Sequence, residues 1–257
     1  MKKFSTLLSG LFILMITITS CGNDEVNQIA NAKSNICSNV TGSEAIYWDL
    51  ENGIARTDLP GGIPPQVDNI GGTFSHQDFP LLGFNYPVGW TPEQLRGNGT
   101  VGVNLMRTSG GQGIWRYVGY SVGNSATARQ VRDAEINAFM SFFGLGTSYD
   151  MVCSNANIST VASGINISVD NIMLRAGGMT GVVIVSVTFG SSIPIPQANV
   201  KVAVAPTNEF SDQIWDTFLA VEWQLLFGNP DTLYDGDSDN DGTPDIYDNF
   251  PNDPTRA

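Results

Sequence analysis

The chain has 257 residues, 42% hydrophobic and only 14% charged, with 25 acidic against 12 basic side chains and a formal net charge of −13. That length and apolar content allow one large domain or two small ones and exclude the composition of a disordered chain. The acidic balance argues against nucleic acid and anionic membrane surfaces as partners.

Residues 1–20 read as a signal peptide. Lys2 and Lys3 form a positive n-region, and residues 7–18 an apolar stretch too short to span a bilayer. The sequence Ile18-Thr19-Ser20-Cys21 resembles the lipobox of bacterial lipoproteins, which implies acylation of Cys21 as the first mature residue. Asp24 and Glu25 are similar to the surface-export signal of Bacteroidetes lipoproteins. Together these resemblances imply a lipid-anchored, surface-exposed protein of the outer membrane. Cleavage removes two lysines and no acids, leaving ten basic and 25 acidic residues, a charge of −15. The membrane link is then the lipid and not a basic patch.

Residues 21–42 are polar and read as a flexible tether. The globular body is expected over 43–230, with structure starting near Ala45-Ile46-Tyr47-Trp48-Asp49-Leu50. Residues 55–98 are rich in Gly and Pro and read mostly as irregular chain. Val101, Val103 and Leu105 alternate, Ser109-Gly110-Gly111 turns the chain, and residues 114–120 return as the second arm of a hairpin. Residues 127–143 read as a helix, opened by a Thr127/Gln130 capping box and ended by Gly144, with Val131, Ala134, Ala138 and Phe142 on one face. Strands follow: Ile165, Ile167 and Val169 alternate, 172–174 and 182–185 are apolar on both faces, and Val200, Val202 and Val204 alternate again. The last helix is capped by Ser211, carries Ile214, Trp215, Phe218, Leu219, Glu222, Leu225 and Leu226 on one side with Glu222 at the stripe's edge, and stops at Gly228 and Pro230. The fold expected is α+β, a mainly antiparallel sheet covered by two helices.

The tail, 231–257, holds eight Asp and one Arg. Asp237, Asp239, Asp241, Thr243, Asp245 and Asp248 occupy positions 1, 3, 5, 7, 9 and 12 of a loop with Gly242 at position 6. A hard cation such as Ca²⁺ collects six to eight oxygens from such a segment, Thr243 through its carbonyl. Three features depart from an EF-hand: Asp at position 12, Pro244 at position 8, and no helix running into Asp237. Residues 237–251, including Asp248-Asn249-Phe250-Pro251, resemble a thrombospondin type 3 repeat, which implies calcium bound by those six residues, with Asp235 available to a second ion. Asp231-Thr232-Leu233 resembles an O-glycosylation signal of Bacteroidetes envelope proteins, though a plain turn explains it as well.

Cys37 and Cys153 remain in an oxidising compartment, each in loop-like sequence. Pairing and two separate thiols both stay open, since sequence supplies no distance between them.

Gly119-Tyr120-Ser121-Val122-Gly123 has the G-x-S-x-G form of an α/β-hydrolase elbow. Those enzymes need a histidine after the serine, and the sole histidine, His76, precedes it. The expected function is therefore a non-enzymatic, surface-anchored lipoprotein with structural calcium. The alternative is a glycan- or protein-binding surface module, motivated by the aromatic-rich stretch Phe84-Asn85-Tyr86-Pro87-Val88-Gly89-Trp90 with Trp48 and Trp115. A serine hydrolase acting through Ser121 comes third.

Overall fold

A computed structural model describes residues 37–53 and 65–227. In chain order the elements are α1 (Gly42–Glu51), β1 (Ile70–His76), β2 (Phe79–Pro87), β3 (Trp90–Gly97), β4 (Thr100–Arg107), β5 (Ile114–Ser121), α2 (Ala128–Phe143), β6 (Asp150–Ala162), β7 (Ile165–Ala176), β8 (Met179–Phe189), β9 (Gln197–Pro206), α3 (Phe210–Gln213) and α4 (Leu219–Phe227), the last two joined by a π-helical turn at Ile214–Phe218.

Seven strands form one antiparallel sheet in the order β3-β4-β5-β9-β8-β7-β6, and β1 and β2 pair separately. The sheet is two meanders fused along a single seam, where β5 runs against β9 from Ile114 opposite Val204 to Ser121 opposite Gln197. Helix α2 carries the chain from the seam to the far edge, and β6 to β9 walk back by hairpins. Tight turns set the registers. Asn98 and Gly99 both take positive φ, 47° and 80°, between the paired Gly97 and Thr100, which is the two-residue hairpin geometry that matches strand twist. Gly177 and Gly178 do the same between β7 and β8.

Alternation along the strands sends side chains to two faces. One face packs Val118, Ile172, Leu174, Val183, Val185 and Val202 beneath α2. The other packs Val103, Leu105, Trp115, Met173 and Val182 beneath α1, the β1–β2 hairpin and α3–α4. The architecture is α+β, mainly antiparallel, with helices on both faces.

Several expectations change. Residues 70–97 are three strands and not irregular chain. Their prolines sit where a strand tolerates them, Pro80 and Pro87 in the small hairpin and Pro92 on the sheet's edge strand. A third helical segment, α1, covers the sheet beside the expected two. Cys37 and Val40 are already buried in the core, so packing begins before the boundary expected at 43. Cys153 lies within β6 and not in a loop.

Helix α2 has its capping box, Thr127 accepting from the Gln130 N–H at 3.2 Å, and Gly144 ends it in the left-handed conformation. Its buried side is Val131, Glu135, Ile136, Phe139 and Met140, whereas Ala134, Ala138 and Phe142 are exposed. The reason is Glu135, which is buried because Arg116 meets it at 3.1 Å. A charged residue inside the stripe rotated the expected face. Ser211 lies inside α3 and does not cap it; Glu209 holds the cap position. After the π-helical turn the run is buried almost all round, as a helix enclosed on several sides must be. Glu222 sits in the middle of that core, 5% exposed, and not at its edge.

Candidate functional site

Glu222 points from α4 into a buried polar cluster built by four elements. Its Oε1 accepts from the Tyr47 hydroxyl of α1 at 2.9 Å and from the Trp115 indole of β5 at 2.8 Å. Its Oε2 accepts from Lys201 of β9 at 3.3 Å, and the same ammonium touches Glu51 of α1. Lys201 interrupts the apolar alternation of β9 because it belongs to the opposite face from Val200 and Val202.

Two carboxyls thus share one ammonium away from water, and they cannot both ionise cheaply. Burial first, and then the Glu222 carboxylate, push Glu51 well above the usual carboxylate range. Burial would raise Glu222 too, but Lys201 and the hydrogen bonds from Glu51, Trp115 and Tyr47 outweigh it and hold Glu222 low. Burial would lower Lys201, but both glutamates overcome this and raise it. Tyr47 is raised by burial and then by the two glutamates. Of the two carboxyls it is therefore Glu51 that is pushed toward its protonated form, while Glu222 is held as the carboxylate beside Lys201. The cluster is a clasp among α1, α4 and the sheet. Nearby, Asn52 Oδ1 accepts from Asn155 at 2.7 Å and from Asn171 at 2.9 Å, fixing the end of α1 on β6 and β7.

Two surface clefts are lined by described residues. One, of about 330 Å³, lies between α2 and the uncovered part of the sheet, with Met106, Ile114 and Phe139 on its floor and Phe142, 63% exposed, at its rim. Glu93, Asn104, Arg116 and Glu135 cross it, and these four hydrogen-bond one another in series. The other, of about 420 Å³, is polar and lies where the β2–β3 turn meets the turn after β4 and the π-helical turn. Asp68, Val88, Trp90, Ser109, Gln213 and Asp216 are among its lining.

The calcium residues Asp237, Asp239, Asp241, Thr243, Asp245 and Asp248 and the lipidation residue Cys21 lie outside the described residues. So do Asp235 and the Asp231-Thr232-Leu233 stretch. Among the described residues no group of three or more His, Cys, Asp or Glu converges to hold a metal. Cys37 and Cys153 are joined as a disulfide, Cα atoms 6.0 Å apart, closing a separation of 116 residues. Ser121 ends β5 and exchanges hydrogen bonds with Gln197, whose amide nitrogen donates to its Oγ at 3.1 Å. His76 is fully buried with both ring nitrogens engaged: Nε2–H donates to the Leu95 carbonyl at 2.9 Å, and Nδ1 accepts the Asp78 N–H at 3.2 Å. It ties the small hairpin to β3.

The aromatic stretch proposed as a stacking platform is core. Phe84, Trp48 and Trp115 are buried, Phe84 packs edge-on to Trp115, and Trp90 is 6% exposed. Proline and glycine around these rings suggested a loop, whereas the rings fill the space under α3–α4.

Neither a family model nor a curated protein matches the chain. Among solved structures it is similar to the Saccharomyces cerevisiae Ran-binding protein Mog1p, at 8% identity over 60% of this chain and 89% of that one, with a TM-score of 0.30. It is also similar to a point mutant of protein Mog1, at 10% identity over 56% and 85%, with a TM-score of 0.27. Likenesses of that strength say nothing about function.

Proposed function

We propose that this chain is a non-enzymatic cell-envelope protein, held at the outer membrane by lipid on Cys21 and carrying a tail ordered by Ca²⁺. The observation that supports this reading is the Cys37–Cys153 disulfide. Such a bond belongs to an exported protein, and it fastens the chain to β6 where the tether ends. The engagements of Ser121 and His76 work against the hydrolase reading, because each group is committed to a structural partner. Calcium would be held by Asp237, Asp239, Asp241, Thr243, Asp245 and Asp248.

Two measurements test this. Metabolic labelling with an alkyne fatty acid should tag the wild type and not Cys21→Ser. Calorimetric titration of the chelator-stripped chain from Gly22 onward should show calcium binding. An untagged wild type removes the anchor, and a silent titration removes the calcium role.

A further inference from the structure

We infer that the free edge of β6, over residues 154–160, is the surface by which two copies of this chain pair, strand against strand about a two-fold axis.

The two edges of the seven-stranded sheet differ. β3, at one edge, carries Pro92, Glu93 and Arg96. The β1–β2 hairpin also lies against it, with His76 on the Leu95 carbonyl and the Gln77 N–H on Gln94 Oε1 at 3.0 Å. Proline, charge and a covering element are devices that keep an edge from pairing. β6, at the other edge, is thirteen residues long, and over 151–162 it holds no proline and no charged side chain. Bulges at Met151/Cys153 and Thr160/Ala162 bend only its ends and leave 153–160 in regular antiparallel register with β7. Alternate residues of such a strand turn both N–H and C=O away from the neighbour they pair with. The Asn39 amide takes the Val152 carbonyl at 3.2 Å, above this stretch. Among the described residues no backbone group of 154–160 is bonded on the side away from β7. Ser154 and all of 156–160 are exposed, and α2 packs on β7, β8 and β9, inboard of the edge.

What fits this edge is the edge itself. A two-fold axis normal to the sheet runs the two strands antiparallel and keeps both faces continuous. With Asn157 on the axis, Ala156 faces Ile158 of the second copy, Asn155 faces Ser159, and Ser154 faces Thr160. Every pair then matches in kind. Ile158, 70% exposed, gains an apolar neighbour. Ser, Thr and Asn side chains each donate and accept, so the polar pairs satisfy one another, and the Asn157 amide meets its own copy donor to acceptor in both directions. Residues directly opposite come within about 4.5–5.5 Å at Cβ, close enough for these contacts. Moving the axis to Ala156 sets Ile158 against Ser154. Moving it to Ile158 sets Ala156 against Thr160 and Asn155 against Val161.

Charge points the same way. Each copy carries a net charge of −13, so two copies repel wherever carboxylates face each other. The strip 151–162 has none. Asp170 of β7, behind Ala156, is already met by Arg129 and Arg132. A basic or acidic partner strand would find no counter-charge here, whereas an uncharged strand of this same sequence needs none.

Pairing requires neither the lipid nor calcium, so the labelling and titration above and the experiment below fail separately. Sedimentation of the chain from Gly22 onward should show a monomer–dimer equilibrium. Ile158→Lys brings like charges together beside the axis and should raise the dissociation constant at least tenfold. Its monomer should melt as the wild-type monomer does, because position 158 is exposed. Asn157→Cys should be joined to its own copy by a short bismaleimide, and Glu93→Cys, on the opposite edge, should not; this holds even where Ile158→Lys disturbs the strand. Pairing through β6 is overturned if the wild type stays monomeric up to about 1 mM, if Ile158→Lys dimerises like the wild type, or if Glu93→Cys is joined and Asn157→Cys is not.

Discussion

Glu51 and Glu222 touch the same ammonium, yet the clasp predicts that neutralising them has unequal effects. Glu51 is the carboxyl pushed toward its protonated form, so Glu51→Gln keeps that form's shape, charge and donor toward Glu222. Its cost should be about 0–1 kcal/mol, as for a neutral hydrogen bond exchanged for another. Glu222→Gln removes the acceptor charge under Tyr47 and Trp115. Hydrogen bonds to charged groups contribute ~1.5–3 kcal/mol against ~0.5–1.5 for neutral ones, so two such bonds lose about 2 kcal/mol. The loss stops there because Glu51 can ionise and take over as counterion to Lys201. In the double variant no counterion remains. Lys201 keeps 28% of its side chain in solvent, which softens the penalty, but an unpaired cation in this position should still cost about 3–5 kcal/mol. The double variant should therefore exceed the sum of the singles by about 1 kcal/mol or more, a coupling that urea unfolding at pH 7 can resolve. The sign with pH follows from the same assignment. Glu51 is raised when folded, so its stabilisation is whole below its ordinary value of 4.5 and is lost as pH rises through its folded value. Glu222 is depressed, so its stabilisation is present above 4.5 and lost as pH falls through its folded value. Glu51→Gln should delete the alkaline-going loss and leave the acid limb in place. Equal costs for the two single variants, or additivity within ~0.5 kcal/mol, would refute the one-proton assignment.

Reducing the Cys37–Cys153 bond, or Cys153→Ser, should destabilise by up to ~4–5 kcal/mol for a loop of this length, read as a lower urea midpoint under dithiothreitol. Gly102→Ala should cost about 1–3 kcal/mol, because the new Cβ would lie 2.5 Å from the Tyr117 carbonyl oxygen and 2.7 Å from Val118 Cβ; a melting curve within error of wild type would show that β4 can shift. Asp241→Ala should lower calcium affinity more than tenfold and leave the tail open to protease with the body intact, and limited proteolysis with and without chelator reads both.

Much of the sheet was legible in the sequence because its strands obey local rules. Val101, Val103 and Leu105, then Val200, Val202 and Val204, alternate as half-buried strands must, and the Thr127/Gln130 box and Gly144 bracket α2. The part of 55–98 that proves to be strand, residues 70–97, carried a usable signal: Asn98-Gly99 between strand-like runs is the strongest short hairpin cue, set among prolines that favour loop. The polar cluster was legible only in part. Lys201 among alternating valines and Glu222 inside an apolar helix each announce a buried charge, but nothing local says that they meet, because their partners Tyr47, Glu51 and Trp115 come from far earlier in the chain.

The two faces of the sheet solve different problems, and this explains where the polar residues went. Beneath α2 a single helix of sixteen residues meets a sheet floor of valines, and its one buried acid, Glu135, is answered by Arg116 from the floor itself. The opposite face must gather α1, the β1–β2 hairpin and α3–α4, three pieces with no strand in the sheet to fix their positions. Apolar contact alone is non-directional and would let them slide. Directional bonds remove that freedom: Glu222 ties α4 to α1 and β5, Asn52 ties α1 to β6 and β7, and Gln224 pairs with both backbone groups of Asn85 in β2 at 2.6 and 2.9 Å. His76 ties the hairpin to β3. α1, the hairpin and α4 each carry two such ties, so each is fixed in direction as well as in place, and a fully paired buried network specifies one packing of this face.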